Sequence, residues 1–258
     1  MLDNVTSKAE LLMGIKRAAR RIPFNPKRDR FNLTYSIDTC IRKDLNANFI
    51  KVDGEIVSIA TQYPYDHQVE GQLQLLVDSR TPALVVLASD KDISRDDLPE
   101  YFSKSSRYGE ISVKSKLTDT IDLGDSIEAR TYQLDISGYQ ATVSIPVIHV
   151  HNWPDHHTIK PESTLKLVNL IESISGHKKD FYIQRKSRAI YDPEKLVPVI
   201  HCRAGVGRTG QTIAAMMLHS KPHLNLATIT KDLRVSRNDY MIQTLVQMET
   251  LVQLEEDA

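Results

Sequence analysis

The chain has 258 residues, 41% of them hydrophobic and 26% charged, a composition that fits one large α/β domain with a sizeable core. Its 33 Lys and Arg balance 33 Asp and Glu. Zero net charge excludes a global field for nucleic acid or an anionic membrane, so any attraction for an anion must be built locally.

An amphipathic helix is expected over 8–22. Leu11, Leu12, Ile15, Ala18, Ala19 and Ile22 recur there at helical spacing, with Lys16, Arg17, Arg20 and Arg21 around them. Ser7 or Thr6 would cap it, and Pro23 and Pro26 end it. It is read as a helix packed on the domain with a solvated basic face; a membrane-surface or partner-binding helix is the sharper alternative. Strands are expected over 49–52, 56–60, 83–88, 111–116, 129–136, 141–149 and 197–201. Helices are expected over 67–79, 161–175, 207–218, 226–234 and 241–255. This order suggests a single α/β domain, residues 1–258, on a twisted mixed β-sheet flanked by α-helices. No apolar run reaches membrane-span length, and MLDNVTSKAELL lacks the basic and apolar regions of a signal peptide.

The chemistry concentrates at 199–210, Val-Ile-His-Cys-Arg-Ala-Gly-Val-Gly-Arg-Thr-Gly. An apolar run delivers Cys202 at the end of a buried strand. Arg203, Ala204, Gly205, Val206 and Gly207 follow, then Arg208 and Thr209, where a helical pattern starts. A strand–loop–helix of this kind cradles anions, because backbone N–H groups and the helix N-terminus converge on one point. That environment favours the thiolate of Cys202. It also binds a phosphate, with Arg208 forking onto two oxygens. The thiolate can attack phosphorus in line, and Thr209 can donate its hydroxyl to the sulfur when it leaves. A buried, inert cysteine is the bland alternative. Cys40, the other cysteine, reads as a core thiol, and two thiols in so long a chain point to a reducing compartment. Paired histidines at 149, 151, 156 and 157 lack the cysteine partners of a zinc site, so no metal or other cofactor is expected.

His201 to Gly210 resembles the H-C-x5-R-[ST]-G signature of protein tyrosine phosphatases, most closely the secreted bacterial enzymes of the YopH type. The resemblance covers most of the chain. Asp44–Ile50 resembles the family's D-Y-I-N-A-N-F-I, Ile59–Pro64 its I-A-T-Q-G-P, Asn152–Asp155 its mobile acid loop, and Val235–Thr244 its glutamine loop.

The resemblance implies that Asp155 is the general acid and then the base, and that a neighbouring phosphate raises its pKa on loop closure. It implies that Gln243, helped by Gln247 one helical turn on, holds the attacking water. Trp153 and His156, beside the acid, are expected on the substrate side. Phe31 stands where the family's stacking tyrosine would, or else is a core phenylalanine. His201 would orient the cradle from behind, and an acidic residue, Asp90 or Asp92, would contact Arg208, with Asp90 preferred. Asp239 and Tyr240 depart from the family's glycine-containing turn, and His156 and His157 from the glutamine and small residue that follow the acid in the bacterial relatives.

The substrates implied are phosphotyrosine proteins of a host cell, reached by type III secretion of a virulence effector into its cytosol. A monomer is expected. The secretion and chaperone-binding region of such effectors would lie outside this chain, which is read as the catalytic domain. A phosphotyrosine-binding module and a dual-specificity or phosphoinositide phosphatase are the rivals. Cys202, Arg208 and Asp155 are all present, against the first, and a single basic residue inside the loop weighs against the second. A Cys–His protease is poorly supported.

Overall fold

The computed structural model describes residues 2–16, 20–184 and 196–257. The elements begin with α1 (Leu2–Met13), β1 (Arg21–Ile22), β2 (Tyr35–Ser36), β3 (Ala47–Val52), β4 (Glu55–Thr61), α2 (Val69–Asp78), β5 (Leu84–Val86) and α3 (Asp90–Arg95). There follow β6 (Ser106–Tyr108), β7 (Ile111–Gly124), β8 (Ile127–Ser137), β9 (Val143–Val150) and α4 (Pro161–Gln184). The chain continues through β10 (Val199–His201), α5 (Gly207–Ser220), α6 (Leu226–Ser236) and α7 (Leu245–Glu256).

Eight strands form one mixed sheet in the order β3-β4-β10-β5-β9-β8-β7-β6. Its centre, β4-β10-β5-β9, is parallel, and both flanks are antiparallel. The central strands are short apolar runs because both of their faces are covered. Alternation divides their side chains. Ile59, Leu84, Val86 and Val199 join the core shared with α2 and α3, whereas Ala60, Val85 and Ile200 join the core shared with α1, α4, α5, α6 and α7. Each fully buried valine, leucine or isoleucine contributes about 1.5–3 kcal/mol. No helix among the described residues is long and apolar enough to cross a membrane.

Three local expectations are corrected. The N-terminal helix runs from Leu2 to Met13 rather than over 8–22, and Gly14 follows its end; residues 17–19 lie outside the described residues. Its buried stripe is Val5, Ala9 and Leu12, facing α7, while Leu11 is 78% exposed. Thr6 does not cap it but donates to Glu249 Oε1 at 2.8 Å. The strand expected over 111–116 extends to Gly124 and pairs with β8 through a two-residue turn. Asp125 and Ser126 both have positive φ, 52° and 62°, which is the type I′ geometry that matches strand twist. Finally, α7 begins at Leu245, leaving Gln243 in the preceding loop.

Candidate active site

The site lies beyond the carboxyl ends of the four parallel strands, the usual crevice of such sheets. β10 leads directly into Cys202, β4 leads to Gln62 and Tyr63, β5 leads through Ser89 into α3, and β9 leads into the segment carrying Asp155.

The loop after Cys202 is held by its carbonyls. Cys202 O lies 3.1 Å from His201 Nδ1, and Arg203 O accepts from Tyr63 N at 2.9 Å. Ala204 O and Gly205 O accept from the Arg237 guanidinium at 3.1 and 2.6 Å, and Val206 O accepts from Ile242 N at 3.2 Å. Five successive carbonyls are thus tied outward. In a trans peptide the N–H points opposite the C=O, so the amides are turned the other way, into the cradle. Gly205 makes the turn at φ 68°, where an added Cβ would run into Thr61 O. At Gly210 it would run into Ile242 N.

Arg237 went unread in the sequence. It is fully buried and, among the described residues, bonds no carboxylate; its other acceptors are Asn46 Oδ1 (2.9 Å), Asn48 Oδ1 (2.9 Å) and Ala60 O (3.1 Å). Its charge therefore sits behind the cradle bonded directly only to neutral acceptors, with the Tyr35 ring centroid 4.7 Å from it. The signal available was the pair of asparagines at 46 and 48, too polar for a buried strand unless something charged lies between them.

Arg208 is 1% exposed. Its Nη1 donates to Asp92 Oδ2 at 2.7 Å and to Trp153 O at 2.8 Å, and its Nη2 donates to Asp155 Oδ1 at 2.8 Å. Asp92, not Asp90, is the acidic contact. Ser89 caps α3, and Asp92 at the third helical position closes the capping box, which turns its carboxylate inward; Asp90 instead pairs with Arg130. Arg203 Nη1 donates to the other Asp155 oxygen at 2.7 Å, and Arg203 also pairs with Asp96. Arg208 Nε, Arg203 Nε and Thr209 Oγ1 are buried with no protein partner, so the cradle has donor capacity left for an anion.

Asp155 itself departs from expectation. Burial raises its carboxyl, but the charges of Arg208, Arg203 and His156 outweigh that and hold it below the ordinary carboxylate range. The expected rise assumed a phosphate beside it; here its nearest charges are cationic. The acid loop is latched at its far side, where His157 O accepts from Trp153 Nε1 at 2.9 Å and from Gln247 Nε2 at 3.2 Å. Trp153 is wholly buried in the core, so its indole does not face the substrate side as expected; only its carbonyl reaches Arg208. His156 is exposed, has φ 62°, and lies 3.7 Å from Asp155 Oδ2.

Gln247 is also differently employed. Its Oε1 accepts from Gln243 N at 3.0 Å and Thr244 N at 3.3 Å, closing the α7 capping box. It supports the loop from which Gln243 lies against Gly207. Ile242, just before, has φ 64°, a strained value for a β-branched residue. Phe31 is only half-buried, with the Arg203 guanidinium 5.3 Å from its ring centroid. Gln62 pins that loop, accepting from Arg30 N at 2.9 Å and donating to Arg28 O at 2.6 Å. His201 is fully buried, bonded to Tyr101 OH at 2.7 Å, and burial lowers its pKa to about 4, so its imidazole is neutral. His149 contacts Ala88 O and His157 contacts Asp155 O, both at 2.8 Å.

The family model for protein-tyrosine phosphatase matches residues 28–255. The chain is 43% identical over 223 residues to the tyrosine-protein phosphatase YopH of Yersinia enterocolitica, covering 84% of this chain and 47% of that protein. It is 32% identical to the secreted effector protein SptP of Salmonella paratyphi A, covering 79% and 36%. It therefore spans about half the length of the first of these relatives and about a third of the second. Its fold is that of the catalytic domain of human protein tyrosine phosphatase non-receptor type 18, with a TM-score of 0.72 at 18% identity over 99% of this chain and 94% of that one. A family match over nearly the whole chain, joined to the cradle that the family's signature segment builds here, means that this chain belongs to the protein-tyrosine phosphatase family.

Proposed function

We propose that the chain hydrolyses phosphotyrosine in proteins through a cysteinyl-phosphate intermediate. The observation that carries this reading is the placing of Cys202 at the end of β10, under a loop whose five carbonyls are all turned outward, with Arg208 and Asp155 in contact at 2.8 Å. Cradle amides, Arg208 and Arg203 bind the phosphate, and its charge takes Arg208 Nη2 over from Asp155. The Cys202 thiolate attacks phosphorus, forming the S–P bond as the P–O bond to the phenol breaks, and Asp155, protonated from solvent once the phosphate has claimed its arginine partners and set negative charge beside it, gives that proton to the departing oxygen. Gln243 then places a water, Asp155 takes its proton, and the S–P electron pair returns to a sulfur stabilised by Thr209. Phe31 with Arg203 beside it flanks the phenyl ring, and His156 lies at the rim. The burial of Cys202, only 3% exposed, fits a nucleophile set beneath the cradle, and the family match supports the choice of tyrosine.

The name of SptP supports the further reading that the substrates are host phosphoproteins reached by a secreted effector. Initial rates on matched phosphotyrosine and phosphoserine peptides, in EDTA and reductant, test the reaction. Turnover of the phosphotyrosine peptide alone, lost in Cys202→Ser, is expected. Equal turnover of both would make the enzyme dual-specific, and binding without turnover would make it a phosphotyrosine-reading module.

A further inference from the structure

The root of the acid loop carries a charged cluster that this mechanism does not use. His151 directly follows β9. Its Nε2 lies 3.2 Å from Glu128 Oε2 on β8, and its Nδ1 lies 3.3 Å from Asp90 Oδ2, the first residue of α3. Asp90 N donates to His151 O at 2.7 Å. Next along, Asn152 accepts from Glu128 N at 3.0 Å and donates to Ser126 O at 2.6 Å. The loop root is therefore fastened to β8 and to α3, and α3 also presents Asp92 to Arg208.

A carboxylate accepts and cannot donate. Nε2 is hydrogen-bonded to Glu128, and Nδ1 faces Asp90 at ion-pair distance; an imidazolium presents an N–H toward both carboxylates, whereas a neutral ring turns a lone pair toward one of them. The groups facing His151 are Asp90 on α3, Glu128 and Arg130 on β8, and His149 on its own strand, with ring centroids 6.2 Å apart. His149 is buried and, with its pKa lowered to about 4 chiefly by desolvation, uncharged at neutral pH. Arg130 is 2.8 Å from Asp90 and offsets one of the two carboxylates. One negative charge remains for His151 to balance, and the His151 side chain is only 12% exposed.

We propose that His151 is a positioning residue whose imidazolium, clamped between Asp90 and Glu128, couples the acid-loop root to α3 and releases that root as the ring loses its proton. The inference rests on the reading of Asp155 as an acid carried by this loop. Trp153 is the chain's single tryptophan and stands two residues on, so tryptophan emission comes from this loop, its indole seated in the core. In a titration of the ligand-free chain from pH 5 to 8.5, wild-type emission should shift in one step. The step should vanish in His151→Gln and move to lower pH in Glu128→Gln, which leaves His151 in place should the first variant fail to fold. No step in the wild type, an undiminished step in His151→Gln, or an unmoved one in Glu128→Gln overturns the proposal. Emission is read without turnover, so an inactive protein that keeps the step would refute the phosphatase reading and leave the coupling standing.

Discussion

The cradle and the acid loop meet at Arg208 but are held by different kinds of contact. The cradle is fixed through its backbone: five carbonyls bound from outside, and glycines at 205 and 210 where a side chain would strike neighbouring backbone. The acid loop is fixed chiefly through side chains, by the pairs of Asp155 with Arg208 and Arg203 and by the Gln247 latch. The first half is preorganised and cannot shift without local unfolding. The second is held by the same guanidinium that substrate phosphate would claim, which ties loop position to substrate binding.

Removing one half should leave the other intact. Asp155→Ala should lower kcat by about 10²–10⁴-fold while phosphotyrosine peptides still bind, since the cradle does not depend on it. Steady-state kinetics and equilibrium binding check this, and a comparable loss of binding would mean that the two halves are one unit. Asp92→Asn strikes the joint itself. It removes the buried partner of Arg208 and should cost roughly 3 kcal/mol of unfolding free energy in urea, with weaker vanadate binding; an unchanged urea midpoint would show that Trp153 O and Asp155 suffice.

The most gradual effect is in pH. Folding depresses the pKa of His201, behind the cradle, and of His149, each to about 4. Their contribution to stability is complete above the ordinary histidine value of about 6.5 and is lost as pH falls toward 4, by up to about 1.4 kcal/mol per unit for each. Asp155, also depressed, adds a loss only further into acid. Urea midpoints at pH 7, 6 and 5 should therefore fall, and fall less steeply in His201→Gln.

The same contrast explains what the sequence discloses. The cradle is legible because it is contiguous: cysteine, five residues, arginine and a helix start lie within ten positions, and strand alternation and glycine geometry act locally. What lies behind it is not. Arg237 reaches Gly205 from 32 residues away, and nothing around Val235–Asn238 marks it as a cradle support. Pattern alone offers Asp90 ahead of Asp92, and the structure reverses this because the choice turns on Ser89 capping a helix of six residues that periodicity does not detect. Trp153 reads as a substrate contact because it adjoins the acid, yet its indole fills the core. The spacing of Leu11 and Ile15 points to a helix further along the chain, whereas packing on α7 selects Val5, Ala9 and Leu12.

The central claim is that phosphate passes through Cys202. It is tested most directly by acid-quenching Gln243→Ala, whose second step should be slowed, within milliseconds of mixing with a phosphotyrosine peptide, and mapping the phosphoryl group by mass spectrometry. A phosphoryl group on the peptide that contains Cys202, absent from the Cys202→Ser control, is the predicted result. Turnover with the group on another residue, or on none at any quench time, would contradict it.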